Sequence, residues 1–243
     1  MRKSAGFVPF LRAIHTMAKA IIVEDHQFEH AVKVARITGR NRARDVALLH
    51  VLFGTALKPT ELALLRVDDY LQENGAVRQE WKIREEIAYN QRERPLFWVN
   101  RKLVASVDAY LEFRIKTGLG VQVRTSYRGL QPDSALFLTE DGGSLAMTKR
   151  KSGQGDGRVL YSCDVLSQIF RRLFAQAGIE GASATSGRRS FAVKLHRRHQ
   201  NGQAGGGDLR HIQELLGHTS IKAVRKLVEC DPVNLGAIVA RAI

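Results

Sequence analysis

The sequence predicts a mainly α-helical fold with one small antiparallel β-sheet, and three observations support this. Most segments of the 243-residue chain place apolar residues three and four positions apart, the spacing of one helix face. Residues 73–99 instead alternate apolar and polar side chains on both sides of a polar turn, a pattern typical of a β-hairpin. The apolar fraction of 44% is that of an ordinary globular protein, and no internal repeat is present.

The first third of the chain is predicted to form three helices. Residues 1–20 precede them as a short arm or a partial helix. Apolar residues recur at helical spacing in 25–38 and again in 41–57. Pro59 begins the third predicted helix, 59–70, because proline is favoured at the first helical position.

The middle of the chain carries the predicted sheet. Apolar residues alternate with polar ones from Val77 to Tyr89, the polar turn 90–93 follows, and apolar residues return at 94–99. This pattern predicts two antiparallel strands. After them the sequence predicts a helix, a short strand with a turn, and a basic glycine-rich loop, at 101–117, 134–143 and 147–162.

The last third returns to helix. Apolar stripes predict four helices, at 163–178, 186–200, 208–218 and 219–229. The glycine-rich segment 201–207 separates two of them, and an apolar segment, 233–243, ends the chain. No strong linker interrupts this order, so residues 21–243 are predicted to form one domain.

The charge indicates the kind of partner. Thirty-eight Lys and Arg against 24 Asp and Glu give a net charge of +14. Such an excess attracts phosphate groups and favours nucleic acid through counterion release. The basic residues lie among folded segments and not in one tail, which favours a shaped binding surface over a disordered arm. The alternative is a basic protein that is merely soluble or ribosome-like.

Several classes of protein are disfavoured. No apolar run reaches the roughly 18 residues of a membrane span, and the N-terminus lacks a secretory signal. Cys163 and Cys230 are too far apart in sequence for a C-x-x-C pair. His196 and His199 have a spacing that can hold a metal, but a solvated basic face is the favoured interpretation. We therefore expect a cytoplasmic protein without a membrane segment, metal or cofactor.

Five short motifs occur in one order along the chain. They are "ALKPTELALLRVDDY", "RERPLFWV", "SALFLTEDGG", "RRSFA" and "IQELLGHTSI". In these motifs, across about residues 21–235, the chain resembles the catalytic domain of the tyrosine recombinase (phage integrase) family. The resemblance implies the DNA breaking-rejoining fold, double-stranded DNA as partner, and an integrase catalytic-like domain over 21–243. Of the core-binding domain that precedes it in many integrases, we expect only the short arm.

The resemblance also implies a chemistry. In this family two arginines clamp the phosphate oxygens with imidazole groups beside them, a tyrosine attacks phosphorus, and a hairpin lysine protonates the leaving 5′ oxygen. The first arginine position holds Lys58, a histidine position holds Thr185, and the tyrosine position holds Leu227. The lysine position falls near Tyr89 or Asn90. Strand cleavage is therefore predicted to be lost, because leucine cannot attack phosphorus.

Two family positions keep their residues, and substitutes exist for others. Arg188 and His218 stand at the second arginine and at the second imidazole. Arg92 or Lys82 is an alternative to the hairpin lysine. Cys230 is a conceivable nucleophile, although it has no obvious activating partner.

Leu227 has a structural interpretation of its own. No tyrosine follows Tyr161, so a shifted register does not restore the nucleophile. Leu227 continues an apolar stripe with Val224 and Val228, which predicts that it packs into the core.

The basic and imidazole side chains in these motifs form a predicted phosphate-binding set. Its members are Lys58, Arg188, His218, Arg189, Lys222, Arg225, Lys149, Arg150 and Lys151. Each residue also has an alternative interpretation as a solvated charge or, for Arg188, as the ion-pair partner of a carboxylate such as Glu61. For Arg44 and Arg210 the sequence favours neither a phosphate contact nor a solvated charge.

Three functional hypotheses follow. The favoured one is a DNA-binding protein without cleavage, acting as a repressor or as an accessory factor in recombination. The second is an active, divergent recombinase that obtains a nucleophile from a partner. The third is a protein-interaction module that modulates a full-length recombinase. The family resemblance also implies that the apolar segment 233–243 docks on a neighbouring protomer.

Overall fold

Helices dominate the chain, as the apolar stripes predict. The computed structural model describes residues 20–151 and 159–229, and within them it contains eight α-helices and four short strands. In chain order these elements are α1 Asp25–Thr38, α2 Arg42–Gly54, α3 Pro59–Ala63, β1 Glu80–Ile83, β2 Arg94–Phe97, α4 Arg101–Lys116, β3 Thr148–Lys151, β4 Val159–Ser162, α5 Asp164–Gln176, α6 Ala184–Gln200, α7 Leu209–Leu216 and α8 Ile221–Val228. Segments 1–19 and 230–243 lie outside the described residues, and with them the predicted arm, Cys230 and the docking segment.

Helix α2 is the centre of the core. Its residues from Arg44 to Leu52 are all buried, and α1, α4, α5 and α6 pack around it. Gly187 of α6 lies against Leu52, where an added Cβ would be 2.8 Å from the Leu52 carbonyl oxygen. Glycine therefore lets the backbones of α2 and α6 approach closely, which fixes the position of the α6 residues that follow.

Arg44 belongs to this core. Its side chain is buried, its Nε and Nη2 bond the Asp45 carboxylate, and its Nη1 donates to the Leu138 carbonyl oxygen at 3.2 Å. It holds a loop in place and does not face an external ligand.

A smaller apolar cluster lies under the C-terminal helices. It consists of the buried residues Ala56, Ala192, Val193, Ile212, Leu216, Val224 and Val228. Asp208 caps α7 by accepting hydrogen bonds from Arg210 N and His211 N, and Ser220 caps α8 through Ala223 N. Between these helices Gly217 has φ 64° and ψ 32°, a left-handed conformation that glycine adopts without strain.

The predicted hairpin is present but shorter than expected. β1 and β2 are antiparallel with Ile83 opposite Arg94, so the first strand ends at Ile83 and not at Tyr89. The chain turns there because Arg84 bonds the buried Asp69 carboxylate, with Nε 3.1 Å from Oδ1, and its carbonyl accepts from Ala88 N.

Three other predicted elements differ from the structure. The helix expected over 59–70 ends at Ala63, and a 3₁₀ turn, Val67–Asp69, follows because the Asp69 carboxylate accepts from Arg66 N. The strand expected over 134–143 is reduced to isolated bridges at Ala135 and Leu138.

The basic loop expected over 147–162 instead contains a second antiparallel pair, β3 and β4, with Lys149 opposite Tyr161. Val159 and Tyr161 have high strand propensity, which favours β4 although three glycines precede it at 153, 155 and 157.

No helix among the described residues is long and apolar enough to cross a membrane.

Candidate functional site

Four of the residues singled out in the sequence meet at one place. Lys58 directly precedes α3, Tyr89 follows the turn after β1, Arg188 lies in α6, and His218 follows the left-handed Gly217 at the end of α7. Four separate elements thus converge on a cationic cluster, which we define as Lys58, Tyr89, Arg188 and His218.

The Tyr89 ring contacts both cations of this cluster. The Lys58 Nζ is 3.5 Å from the Tyr89 ring centroid, and the Arg188 Cζ is 5.1 Å from it. The Tyr89 hydroxyl donates a hydrogen bond of 2.8 Å to the Gly217 carbonyl oxygen, and the Tyr89 and His218 ring centroids are 6.3 Å apart. The aromatic face gives both cations a partner through cation–π attraction, but it carries no negative charge to neutralise them.

Arg188 is held rigidly. It is 7% exposed, its Nη1 donates to the Ala56 carbonyl oxygen at 2.9 Å, and its Nη2 donates to the Leu216 carbonyl oxygen. Both acceptors are neutral. Arg188 therefore connects the end of α7 to the turn before α3 and brings a charge that its hydrogen-bond partners do not cancel.

The Glu61 carboxylate pairs with Arg94 and not with Arg188. Its carboxylate forms a buried ion pair with Arg94 Nη2 and accepts hydrogen bonds from Lys58 N at 2.7 Å and Tyr89 N at 3.2 Å. The ion pair between Arg188 and Glu61 that the sequence suggested is thus replaced by one between Arg94 and Glu61.

The pKa values of Lys58, Arg188 and His218 are all lowered in the cluster. Burial, followed by the neighbouring Arg188 charge, lowers the pKa of Lys58 to about 8. Burial also lowers the pKa of Arg188 to about 10, although the nearby Glu61 acts in the opposite direction. His218 has a pKa of about 4, lowered by burial and by the charges of Arg188 and Lys58, so its imidazole is neutral at pH 7. The charged forms of these side chains are therefore disfavoured in the free protein, and a bound anion would stabilise them.

Leu227 is the residue predicted to stand at the family's nucleophile position. Leu227 in α8 is half-buried and packs against the C-terminal apolar cluster. With Thr185, Arg188 and His218 it lines a mainly apolar cavity of about 320 Å³. Thr185 is exposed, and its Oγ1 lies 2.9 Å from the Ser183 Oγ. Leu227 has no group that can act as a nucleophile, and Thr185 has a hydroxyl but no imidazole to offer to a phosphate bound by Arg188.

Arg189 also lines this cavity, but backbone carbonyl oxygens hold its guanidinium. Its side chain is 2% exposed, and it donates to the carbonyl oxygens of Ala20, Leu227 and Glu229. It therefore holds the ends of the described chain against α6, and a phosphate contact would require breaking these bonds.

Four other predicted basic residues lie on the surface. Lys222 and Arg225 are exposed on α8, and Lys149 and Lys151 are exposed on β3, which also contains Arg150. Lys82, an alternative to the hairpin lysine, is paired with Glu93 in an exposed salt bridge of 3.4 Å.

Sequence reasoning missed Arg94 as part of the site. Its side chain is almost fully buried, and among the described residues its Nε and Nη1 have no hydrogen-bond partner. With Arg92, Arg210 and His218 it lines a cavity of about 390 Å³ beside the cationic cluster. The available signal was an arginine directly before the apolar run of β2, where the strand pattern expects a buried residue.

The sequence is similar to that of known recombinases. The sequence model of the phage integrase family matches residues 22–230. Tyrosine recombinase XerC of Myxococcus xanthus is 28% identical over 186 residues, which are 76% of this chain and 50% of that protein. Tyrosine recombinase XerD of Rickettsia conorii is 28% identical over 179 residues, which are 74% of this chain and 49% of that protein. The chain thus spans about half the length of these relatives.

Solved structures confirm the predicted fold class. The XerA recombinase structure has a TM-score of 0.62 and 17% identity, covering 93% of this chain and 66% of that one. The XerH site-specific recombinase, bound to palindromic difH substrate, has a TM-score of 0.59 and 19% identity, covering 92% of this chain and 53% of that one. At this identity the likeness shows the fold alone, which is mainly helical with small antiparallel sheets.

Proposed function

Because the chain belongs to the phage integrase family, we propose that it binds double-stranded DNA through its cationic cluster and does not cleave the strand. A protein with these properties acts as a repressor or as an accessory factor in recombination. It occupies a DNA site without forming the covalent intermediate on which strand exchange depends.

The observation that carries the proposal is the combination of Leu227 with Arg188 and His218 around one cavity. Arg188 supplies a guanidinium that can bind phosphate oxygens, and the neutral His218 supplies a hydrogen-bonding imidazole. Leu227 supplies no nucleophile. These residues therefore support phosphate binding but not phosphoryl transfer.

The proposed interface extends from the cationic cluster in two directions. Lys58 lines a cleft that continues to β4, so the basic strand β3 lies beside the site. Leu227 places α8 at the other side of the cluster. The proposed phosphate contacts are Lys58, Arg188, His218, Lys149, Arg150, Lys151, Lys222 and Arg225. Arg189 is left out because its Nε, Nη1 and Nη2 all donate to backbone carbonyls, whereas Arg188 donates to two such carbonyls through Nη1 and Nη2.

The experiment is one incubation of the purified protein with labelled duplex DNA, analysed on two gels. A native gel across a salt series is expected to show a complex that weakens steeply as salt rises, because phosphate contacts release counterions. A denaturing gel of the same samples is expected to show no covalent adduct. An adduct would contradict the loss of cleavage, and the absence of any complex at 50 mM salt would contradict DNA binding, moving the weight to a module that acts on a full-length recombinase.

A second candidate function is favoured by the cavity beside Leu227. Its lining is mainly apolar, and it opens next to Arg188 and His218, where an aromatic side chain from another protein could lie beside a bound phosphate. In that case the chain is a divergent recombinase whose tyrosine comes from a partner. A covalent adduct that forms only after a tyrosine-bearing recombinase is added, and that contains the added protein, would support this function.

A further inference from the structure

A large cleft connects the cationic cluster to the second hairpin. It has a volume of about 770 Å³, within the range of roughly 300–1,000 Å³ that is usual for small-molecule sites. Its lining is mostly apolar but includes a lysine and two tyrosines. The residues that define it are Lys58, Ile87, Tyr89, Met147, Val159 and Tyr161.

The hairpin presents an aromatic ring and two cations on one face. Lys149 is paired with Tyr161, and Lys151 with Val159. Residues directly opposite each other in an antiparallel pair share a face, as do residues two apart along a strand. All four side chains therefore lie on the same side of the hairpin, the side whose Val159 and Tyr161 line the cleft.

Tyr161 is unusually available for a tyrosine in a strand. It is 58% exposed, and its neighbour on the same face, Val159, is 41% exposed. Within the described part of the chain its ring has no aromatic or cation–π contact. An exposed ring flanked by lysines is the arrangement that proteins use to stack a base while cations hold the adjoining phosphates.

We propose that this cleft holds an unpaired nucleobase of the bound DNA, stacked on Tyr161, with the adjoining phosphates at Lys58 and Lys149. This inference rests on the proposed DNA binding and adds a preference for DNA that offers an unpaired base. In a fully paired duplex the bases are stacked inside the helix and cannot enter such a cleft without being flipped out.

The charges around the cleft fit a nucleotide better than an apolar peptide. Lys58 lines the cleft, and Lys149 and Lys151 lie on the hairpin face, so a ligand that joins an apolar plane to anionic groups matches both features. Glu86 is also part of the lining, and its carboxylate can accept a hydrogen bond from the exocyclic amino group of cytosine or adenine.

The test compares two labelled duplexes that differ only by one extra, unpaired base at the centre of one strand. The native protein is expected to bind the bulged duplex more tightly. Tyr161→Ala is expected to weaken binding of the bulged duplex about 5- to 150-fold, the usual effect of removing one stacked base, and to leave the paired duplex unchanged. Tyr161→Phe keeps the ring and is expected to keep the preference.

Phe97→Ala is the matched control, because Phe97 is a 37% exposed aromatic residue of β2 that does not line the cleft. Circular dichroism checks that each variant is folded. Equal binding of the two duplexes by the native protein, or an equal effect of Tyr161→Ala and Phe97→Ala, would overturn the inference and leave the proposed function standing. Failure to bind either duplex would overturn both.

Discussion

Raising the pH from 7 to 9 is expected to weaken DNA binding about tenfold through one side chain, Lys58. Burial and the neighbouring Arg188 lower its pKa to about 8 in the free protein. About nine-tenths of the Lys58 side chains are therefore charged at pH 7 and about one-tenth at pH 9. A phosphate at Nζ favours the charged form and raises the pKa again, so DNA binding takes up a proton above pH 8. Affinity is consequently highest below pH 8 and falls above it.

The other charges around Lys58 do not change over this interval in a way that mimics the effect. Arg188, with a pKa of about 10, keeps most of its charge at pH 9, and His218, with a pKa of about 4, is neutral throughout. Glu61 is held in its ion pair with Arg94. The measurement is fluorescence anisotropy of a labelled duplex at constant ionic strength, titrated at pH 7, 8 and 9.

Lys58→Arg is the control, because its guanidinium stays charged throughout this pH range. Any other group that titrates between pH 7 and 9 does so in both proteins, so the difference between them isolates Lys58. A dissociation constant for the native protein that changes less than about twofold, or a tenfold change that persists in Lys58→Arg, would refute a phosphate contact at this residue.

Three further predictions follow from the same structure. Replacing Lys149 and Lys151 together by Ala is expected to make the slope of log affinity against log salt concentration less negative by about 1.8, since each lost phosphate contact removes about 0.9; gel shifts across a salt series measure it. Arg94→Met leaves the Glu61 carboxylate buried without its partner and is expected to lower the free energy of unfolding by about 3–5 kcal/mol in denaturant titrations, whereas adding Glu61→Leu should restore part of the loss. His50 is 7% exposed, and burial lowers its pKa to about 4. Because the unfolded chain takes up this proton near pH 6.5, stability is lost as pH falls between about 6.5 and 4. His218, whose pKa is also about 4, adds a similar loss, so the step from pH 7 to 5 should cost His50→Leu about 2 kcal/mol less than the native protein.

The sequence predicted the helices better than the sheets, and the reason is the length of the pattern. Helix α5 buries Leu166, Ile169, Phe170, Leu173 and Phe174, which recur three and four positions apart, so the helical repeat is visible in the sequence. β3 and β4 are four residues each, and their alternation is obscured by the basic and glycine-rich residues around them. The early end of β1 depends on the contact of Arg84 with the Asp69 carboxylate, which the local pattern around β1 cannot reveal.

In the site, too, the sequence predicted the residues that lie in short motifs and missed the contacts that depend on the tertiary structure. Motif order was enough to name Lys58, Arg188 and His218, and the structure brings these three together around Tyr89. Motif order assigned Arg188 to the family's second arginine position, but the predicted phosphate-binding set also included its neighbour Arg189. The two are adjacent in α6 and therefore point about 100° apart, one towards the cluster and the other towards the carbonyls at the ends of the described chain.

The two cations of the cluster support the functional proposal unequally. Arg188 has a structural reason to be where it is, since its guanidinium joins the carbonyl oxygens of Ala56 and Leu216. Removing it would disturb the fold whether or not DNA binds. Lys58 lies over the Tyr89 ring, and its pKa of about 8 means that the free protein disfavours its charge. A half-buried ammonium that the fold destabilises is best explained by an anion that restores it. Since Lys58→Arg preserves the charge and Lys58→Met removes it, loss of DNA affinity in Lys58→Met alone, with unchanged stability, would separate binding from packing at this site.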